Sequence, residues 1–328
     1  DSIFLKQAAQ WFYNCYGVEV TTDQMVLLIG SKEVLAHLCW AYIDPGDIAL
    51  IPDPNYTVPK VQTLLAGGQP HLMPLTIENN FLPDLTAIPT DVAKAAKLLF
   101  LNYPHNPTGA IAPLSFFNDA VRFAKEYDLL ICNDCAYAEV GYDGYQPPSI
   151  LQAEGAMDVA IETHSLSKTF NMTGWRIGYI GAPKWIADAC NKMQGQITSG
   201  ANSIAQMAAK AAVEADPAVV KPMIEVFHKR RDLVYDLLRE IPGLKINRPE
   251  GAFYFFPDVS SYFGKRDGDR VVNNANELCM YLLETQHVAV VTGEAFGDPN
   301  CFRISYAASE DIIREAIKRI ATGLSKLH

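Results

Sequence analysis

The sequence has no uninterrupted apolar run approaching the roughly 20 residues that span a bilayer, so no membrane partner is expected. It also lacks a basic balance: 27 Lys and Arg against 37 Asp and Glu leave a formal net charge of −10. Nucleic acid wants a basic face, so no nucleic-acid partner is expected, although a local basic pocket is compatible with an acidic whole. No G-x-G-x-x-G opens a helix, which disfavours a dinucleotide fold. No internal repeat is visible, and no second cysteine pair or histidine cluster completes a zinc site, so no metal is expected. The seven cysteines are odd in number and scattered through apolar stretches, the pattern of reduced thiols in a cytoplasmic protein. Cys132 and Cys135 have the C-x-x-C spacing, but they close an apolar strand run, which argues against a redox pair. No signal peptide is legible. Asp1 opens what reads as the interior of a helix, so an N-terminal segment is expected to precede it.

What is present is organised around Ser165-Leu-Ser-Lys-Thr-Phe-Asn-Met-Thr-Gly-Trp-Arg176. An amine that attacks a carbonyl needs a restrained position and a neighbouring cation or a desolvated pocket to lower its pKa. A phosphate needs hydroxyls, backbone N–H groups and an arginine fork. Lys168 supplies the amine; Ser165, Ser167 and Arg176 supply the anion site, with Gly174 expected to relax the backbone before the arginine. A Schiff-base lysine beside a phosphate site is what pyridoxal phosphate requires.

Other stretches ask for the same cofactor. Met25 to Ile29 reads as a buried strand, followed by the turn Gly30-Ser31-Lys32 and a helix through Val34, Leu35 and Leu38. A helix N-terminus after such a turn points free N–H groups at an anion; an ordinary serine cap is the competing reading of Ser31. A strand at 48–51 runs into Pro52-Asp-Pro-Asn-Tyr56, which sets Tyr56 at a sheet edge where a flat ring could stack on it. A strand at 97–102 runs into Asn102-Tyr-Pro-His-Asn-Pro-Thr-Gly109, a rigid turn that holds Asn106, whose amide can donate to a phenolate oxygen. Asp134 follows five mostly apolar residues, where a carboxylate is costly without a partner; a protonated pyridine nitrogen would be that partner, with Tyr137 in reach of the same ring. Arg303 lies in a strand between Phe302 and Ile304, so it points away from their face and suits a carboxylate.

The 328 residues are long enough for two domains. Strands alternating with helices over 25–215 predict an α/β unit with a largely parallel sheet and helices on both faces. Beyond Pro242-Gly243 the pattern predicts a smaller α+β unit, with strands at 251–256, 288–291 and 302–305, a polar loop at 264–268, and helices at 271–284 and from Glu310. The division is a large domain over 1–216 and a small one over 217–328, entered through a long helix whose Lys229-Arg-Arg231 reads as a solvated face.

In this order and spacing the chain resembles the class I/II aminotransferases of the fold type I pyridoxal-phosphate enzymes, from the first helix to the last. The finer resemblance is to a branch that includes LL-diaminopimelate aminotransferases. It rests on Pro52-Asp-Pro-Asn-Tyr56, Asn102 to Gly109, Ala136-Tyr-Ala-Glu139 and His164 to Gly178. Ile29 to His37 also looks like alanine-type enzymes, and Gln196-Ile-Thr-Ser199 like aspartate-type ones. The resemblance implies that Lys168 binds the cofactor covalently and shuttles the substrate proton, and that Asp134 pairs with the pyridinium nitrogen. It implies that Tyr137 and Asn106 hold the ring oxygen and that Tyr56 stacks on the ring. Gly30, Ser31, Lys32, Ser165 and Arg176 would hold the phosphate, and Arg303, with Asn106, the substrate carboxylate. It implies a homodimer with shared sites, and a ping-pong exchange of an amino group between an L-amino acid and a 2-oxo acid. There are departures: Cys135 and His105 stand where Glu and Asn are common, and no residue here can take the roles of the family's N-terminal arm. Two other readings use the same cofactor: a C–S or β-elimination lyase, and the cofactor-binding part of a transcription regulator, which would also need a basic DNA-binding domain.

Overall fold

The computed structural model describes residues 2–328. Seven strands form one sheet: β1 (Met25–Leu28), β2 (Ile48–Asp53), β3 (Gln69–Pro74), β4 (Ala96–Leu101), β5 (Leu130–Cys135), β6 (Ala160–Ser165) and β7 (Gly178–Gly181). Their order is β1-β7-β6-β5-β4-β2-β3. The pairs among β2 to β6 are all parallel, whereas β7 runs antiparallel to both β6 and β1. A parallel sheet is covered on both faces, so its strands read as apolar runs without alternation. β4 shows how two cores share such a strand. Leu98 and Phe100 pack with Val26, Leu35, Ile161 and Ile186 on one face; Leu99 and Leu101 pack with Phe12, Phe117 and Ile131 on the other. Successive side chains point to opposite faces, so one run feeds two layers.

A third core is built from the C-terminal part. Strands β8 (Tyr254–Phe255), β11 (Val291–Thr292) and β12 (Phe302–Ser305) make a three-stranded antiparallel sheet in the order β11-β12-β8. Helices Lys221–Leu238, Ala275–Gln286 and Glu310–Ser325 pack on it through Val234, Leu278, Leu282, Ile313 and Ile317. Tyr137, Val140 and Tyr142, which follow β5, belong to this core rather than to those of the large sheet.

Several expectations need correction. The polar loop at 264–268 is one arm and the turn of a hairpin, β9 (Lys265–Asp267) with β10 (Arg270–Val272). The strand expected over 251–256 shrinks to two residues. Upstream of them Gly251 N–H donates to Gly109 and Ala252 N–H to Val140, and Ala252 takes φ 55°, so the backbone is committed to loops of the large unit. The strand at 288–291 shifts to Val291–Thr292. Helix Lys184–Ile197 was not anticipated from the sequence. Cys132 and Cys135, read above as strand residues rather than a redox pair, are free and buried in β5, where burial pushes both thiols well up.

The basic triplet is the largest correction. Lys229 is exposed, but Arg231 is fully buried. Its guanidinium makes a two-pronged pair with Asp143 at 2.6 and 3.0 Å, and it donates to the Pro249 carbonyl at 3.2 Å. It also bonds Asp232 at 2.9 Å and lies 4.9 Å from the centre of the Tyr142 ring. A buried guanidinium persists only when its donors are matched. Here the matches come from the loop after β5 and from the segment before β8, so the helix is pinned to both.

The hydrogen bond from Arg231 holds the half-exposed Asp143 carboxyl down at about 2, below its ordinary 3.8. A carboxylate depressed in this way adds stability above its unfolded value, and that stability is lost as pH falls through the folded one. The protein should therefore lose stability between about pH 4 and pH 2. Asp143→Ala should cost about 2 kcal/mol or more in urea unfolding at neutral pH, less than a fully buried pair because Asp143 is half in water. A cost under about 0.5 kcal/mol would place the pair among ordinary surface salt bridges.

Candidate active site

In open α/β sheets ligands gather beyond the carboxyl ends of the strands. β4, β5 and β6 run parallel and end together, so Asn102, Asp134 and Ser165 arrive at one edge. There, a cavity of about 290 Å³ is lined by Ser31, Lys32, Tyr56, Asn102, Asn106, Asp134, Ala136, Tyr137, Ser165, Ser167, Lys168, Arg176, Tyr254 and Arg303. Eleven of the twelve residues singled out from the sequence are among these, and the twelfth, Gly30, adjoins Arg176.

Asp134 forms the floor. Register pairs it with Thr163 across β5 and β6, and the Thr163 hydroxyl donates to its Oδ1 at 2.8 Å. Burial pushes the Asp134 carboxyl up; Thr163, and Lys168 after it, pull it back down. Thr163 was not singled out from the sequence, because only cross-strand register brings it to Asp134.

Lys168 sits on the helical turn Leu166–Thr169 at the end of β6. Ser165 caps that turn, accepting from Ser167 N–H at 3.3 Å. The lysine is half-buried, and burial lowers its pKa; Arg176, Arg303 and Lys32 lower it further, while Asp134 opposes them. A depressed amine is the more available nucleophile and base near neutral pH.

The anion end is built from two turns. Ser31 precedes helix Lys32–Tyr42 but makes no side-chain cap, so its hydroxyl is not committed to the helix. Glu33, in the first turn, accepts from Ile29 N–H at 2.8 Å and so ties the helix back to the end of β1. Gly30 has φ +78°, and a Cβ there would collide with the Arg176 guanidinium. A Cβ on Gly178 would lie 2.6 Å from the His164 carbonyl and 2.8 Å from Ser31 N. Both glycines let the turns meet. Arg176 itself takes the left-handed conformation (φ 52°, ψ 61°), as does Asn171 (φ 54°), whereas Gly174 lies in the 3-10 turn Thr173–Trp175 and needs no positive φ. Arg176 Nη1 donates to the Thr173 carbonyl at 3.1 Å, which leaves the rest of its fork for an anion.

The opposite wall comes from 102–109 and from the C-terminal sheet. Asn102 Nδ2 donates to the Asp134 carbonyl at 2.6 Å, and its Oδ1 accepts from Asn106 N–H at 2.8 Å. Arg303 Nη1 donates to Asn106 Oδ1 at 2.8 Å. A guanidinium cannot accept, so the Asn106 oxygen must face Arg303, and its NH₂ remains for an acceptor in the cavity. Arg303 lies between the rings of Tyr254 and Phe296, 4.3 and 4.5 Å from their centres, and its buried Nε has no partner. Tyr137 and Tyr254 share a hydrogen bond at 2.7 Å between their hydroxyls. Tyr56 stands at the rim with Lys32 Nζ 5.5 Å from its ring centre. Asn102 and Tyr254 were not picked out as site residues from the sequence. Asn102 lay within a quoted motif, and Tyr254 enters from a strand 117 residues away from Tyr137.

The arrangement can therefore hold a flat, doubly anionic group: anion at Arg176 and Ser31, protonated ring nitrogen at Asp134, electrophilic carbon near Lys168, and a second small carboxylate at Arg303.

The family model for "Aminotransferase class I and II" matches residues 2–320. The chain belongs to the class I and II aminotransferases. Among curated relatives of this aminotransferase, the LL-diaminopimelate aminotransferase of Desulforudis audaxviator is 40% identical over 327 residues, covering 99% of this chain and 81% of the relative. That of Halothermothrix orenii is 42% identical over 320 residues, 97% of this chain and 79% of the relative. Among solved structures, substrate-bound BacF from Bacillus subtilis is 34% identical and superposes with a TM-score of 0.92 over 100% of this chain and 81% of that one. The aspartate aminotransferase of Rhizobium meliloti is 32% identical, with a TM-score of 0.92 over 99% and 82%. The expected α/β fold is the one the chain has.

Beside Asn106, His105 is fully buried; its Nδ1 is 2.7 Å from the Thr108 hydroxyl, and burial drives the imidazole down to about 3. A histidine kept neutral by burial costs stability as pH falls below its unfolded value of about 6.5, where the unfolded chain takes up a proton that the folded one refuses. Its ring signals should stay those of a neutral imidazole from pH 8 to pH 5 by NMR. A titration midpoint near 6.5 would contradict the burial of the 102–109 turn.

Proposed function

We propose that this aminotransferase uses pyridoxal 5′-phosphate to move an amino group from LL-diaminopimelate to 2-oxoglutarate. The observation that carries the cofactor is the convergence of Lys168, Asp134 and Arg176 on one cavity. The donor rests on the relatives: LL-diaminopimelate aminotransferases about 40% identical over nearly the whole chain. Aspartate-type and alanine-type donors are the alternatives.

Bound there, the cofactor would supply an electron-accepting ring that stabilises negative charge at the substrate Cα. The residues divide the remaining work. Lys168 would hold the cofactor at its electrophilic carbon, and its amine, when free, would take the proton from the substrate Cα and return it on the other side of the C–N bond. Asp134 keeps the ring nitrogen protonated. Tyr137 and the NH₂ of Asn106 donate to the ring oxygen, and Tyr56 covers one face. Gly30, Ser31, Lys32, Ser165, Ser167 and Arg176 hold the phosphate. Arg303 takes the substrate carboxylate, with Asn106 beside it. The large unit (1–216) carries the cofactor, and the small one (217–328) brings Arg303 and Tyr254 to it. The proposal includes a homodimer with shared sites, by resemblance to the family, and a cytoplasmic location, which fits seven unpaired cysteines.

Lys168→Ala should still bind the cofactor, while turnover falls by about three orders of magnitude; near-normal turnover would sink the assignment. Spectra recorded as LL-diaminopimelate, glutamate, aspartate and alanine are added one at a time would rank the donors. LL-diaminopimelate should bleach the visible band first and most completely. A stronger response to alanine, or pyruvate and ammonia released with no oxo acid present, would reassign the substrate or the reaction.

A further inference from the structure

Tyr254 lines the cavity and is not among the groups assigned above. Its hydroxyl is 2.7 Å from that of Tyr137, and the two rings meet edge-on at 5.6 Å and 84°. Both side chains are buried. Only one proton can lie on the line between two such oxygens. If Tyr137 turns its own proton toward a ring oxygen in the cavity, the shared proton must come from Tyr254. Arg303 lies over the Tyr254 ring at 4.3 Å, and a cation there favours negative charge on the phenol oxygen, which makes Tyr254 the better donor.

We propose that Tyr254 is a positioning residue for Tyr137: it donates to the Tyr137 oxygen, aims the Tyr137 hydroxyl at the cofactor's ring oxygen, and with Arg303 above it strengthens that bond. Hydrogen bonds in series polarise one another. Burial pushes both phenols up; Arg303 pulls both back, and the bond with Tyr137 lowers Tyr254 alone while raising Tyr137, so both keep their protons for donation at neutral pH. The other charged or titratable groups facing the pair are Asp134 from β5 and Tyr56 from the loop after β2, with Lys168 across the cavity.

The proposal rests on Lys168 and Asp134 holding pyridoxal phosphate, and its test reads a spectrum rather than turnover. In the holoenzyme the ring oxygen would take the Tyr137 hydroxyl and the Asn106 NH₂ as donors, together with the protonated Lys168 nitrogen. A stronger Tyr137 donor stabilises the oxygen without that nitrogen's proton, so the proton leaves at lower pH. Tyr254→Phe keeps the ring under Arg303 and removes only the hydroxyl. It should raise the pH midpoint of the visible band by about half a unit or more. In a Tyr137→Phe background the same change should move the midpoint by less than about 0.2 unit, since coupled residues are not additive. A merely structural role for Tyr254 would give the same shift in both backgrounds. An unmoved midpoint in Tyr254→Phe, or an equal shift without the Tyr137 hydroxyl, would overturn the proposal while leaving the cofactor assignment intact. A wild-type protein that forms no visible band would overturn the cofactor assignment, and this proposal with it.

Discussion

Four cations face one carboxylate in this cavity. Lys32, Lys168, Arg176 and Arg303 converge on the buried Asp134, and among the described residues nothing else of negative sign lines the walls. Like charges held close in a partly desolvated space raise one another's free energy; burial first, and then the neighbouring cations, depress Lys168, a group that can shed its proton. Arginine has no such escape. The site is thus built to be completed by anions, and the geometry separates them: one beside the Gly30 turn, one beside Asn106. The sheet exists, for this purpose, to bring three strand ends to one edge and to keep Asp134 dry beneath them.

The strands could be read from the sequence because strands buried on both faces must be mostly apolar, as residues 98–101 of β4 and 130–132 of β5 are. Lys168, Asp134 and Arg176 were legible because each is a residue type out of keeping with its surroundings: an amine among small residues, an acid closing an apolar run, an arginine after a glycine. What could not be read depends on where separate parts of the chain meet. Thr163 is an ordinary strand threonine until register sets it against Asp134. Tyr254 is one aromatic in an aromatic run until the small sheet carries it to Tyr137. Arg231 looked solvated because a basic triplet on an amphipathic helix usually is; its partner Asp143 lies 88 residues away. Gly174 was expected to relax the backbone, but it is Arg176 that takes the left-handed conformation.

The two units are joined by more than a helix. Arg231 ties helix Lys221–Leu238 to the loop after β5, and Tyr137 is the second residue of that same loop. The Tyr142 hydroxyl donates to the Ala252 carbonyl, two residues before Tyr254, and the Tyr306 hydroxyl donates to Tyr142 at 3.2 Å. The tyrosine pair in the cavity is therefore backed on both sides by a buried polar frame. Such networks, when every donor is matched, fix one arrangement among many that apolar packing would tolerate.

The cysteines give this protein a second use that has nothing to do with its chemistry. Six of seven thiols are buried, in helix Lys32–Tyr42, β5, helix Lys184–Ile197, helix Ala275–Gln286 and the turn before β12; Cys15 alone is half-exposed. A thiolate is needed for alkylation, and burial withholds it. Each buried thiol can therefore react only when its own element opens, so alkylation rates followed site by site would act as a set of clocks distributed over all three cores. The parts of the molecule that come undone first could be timed with no label introduced and no residue changed.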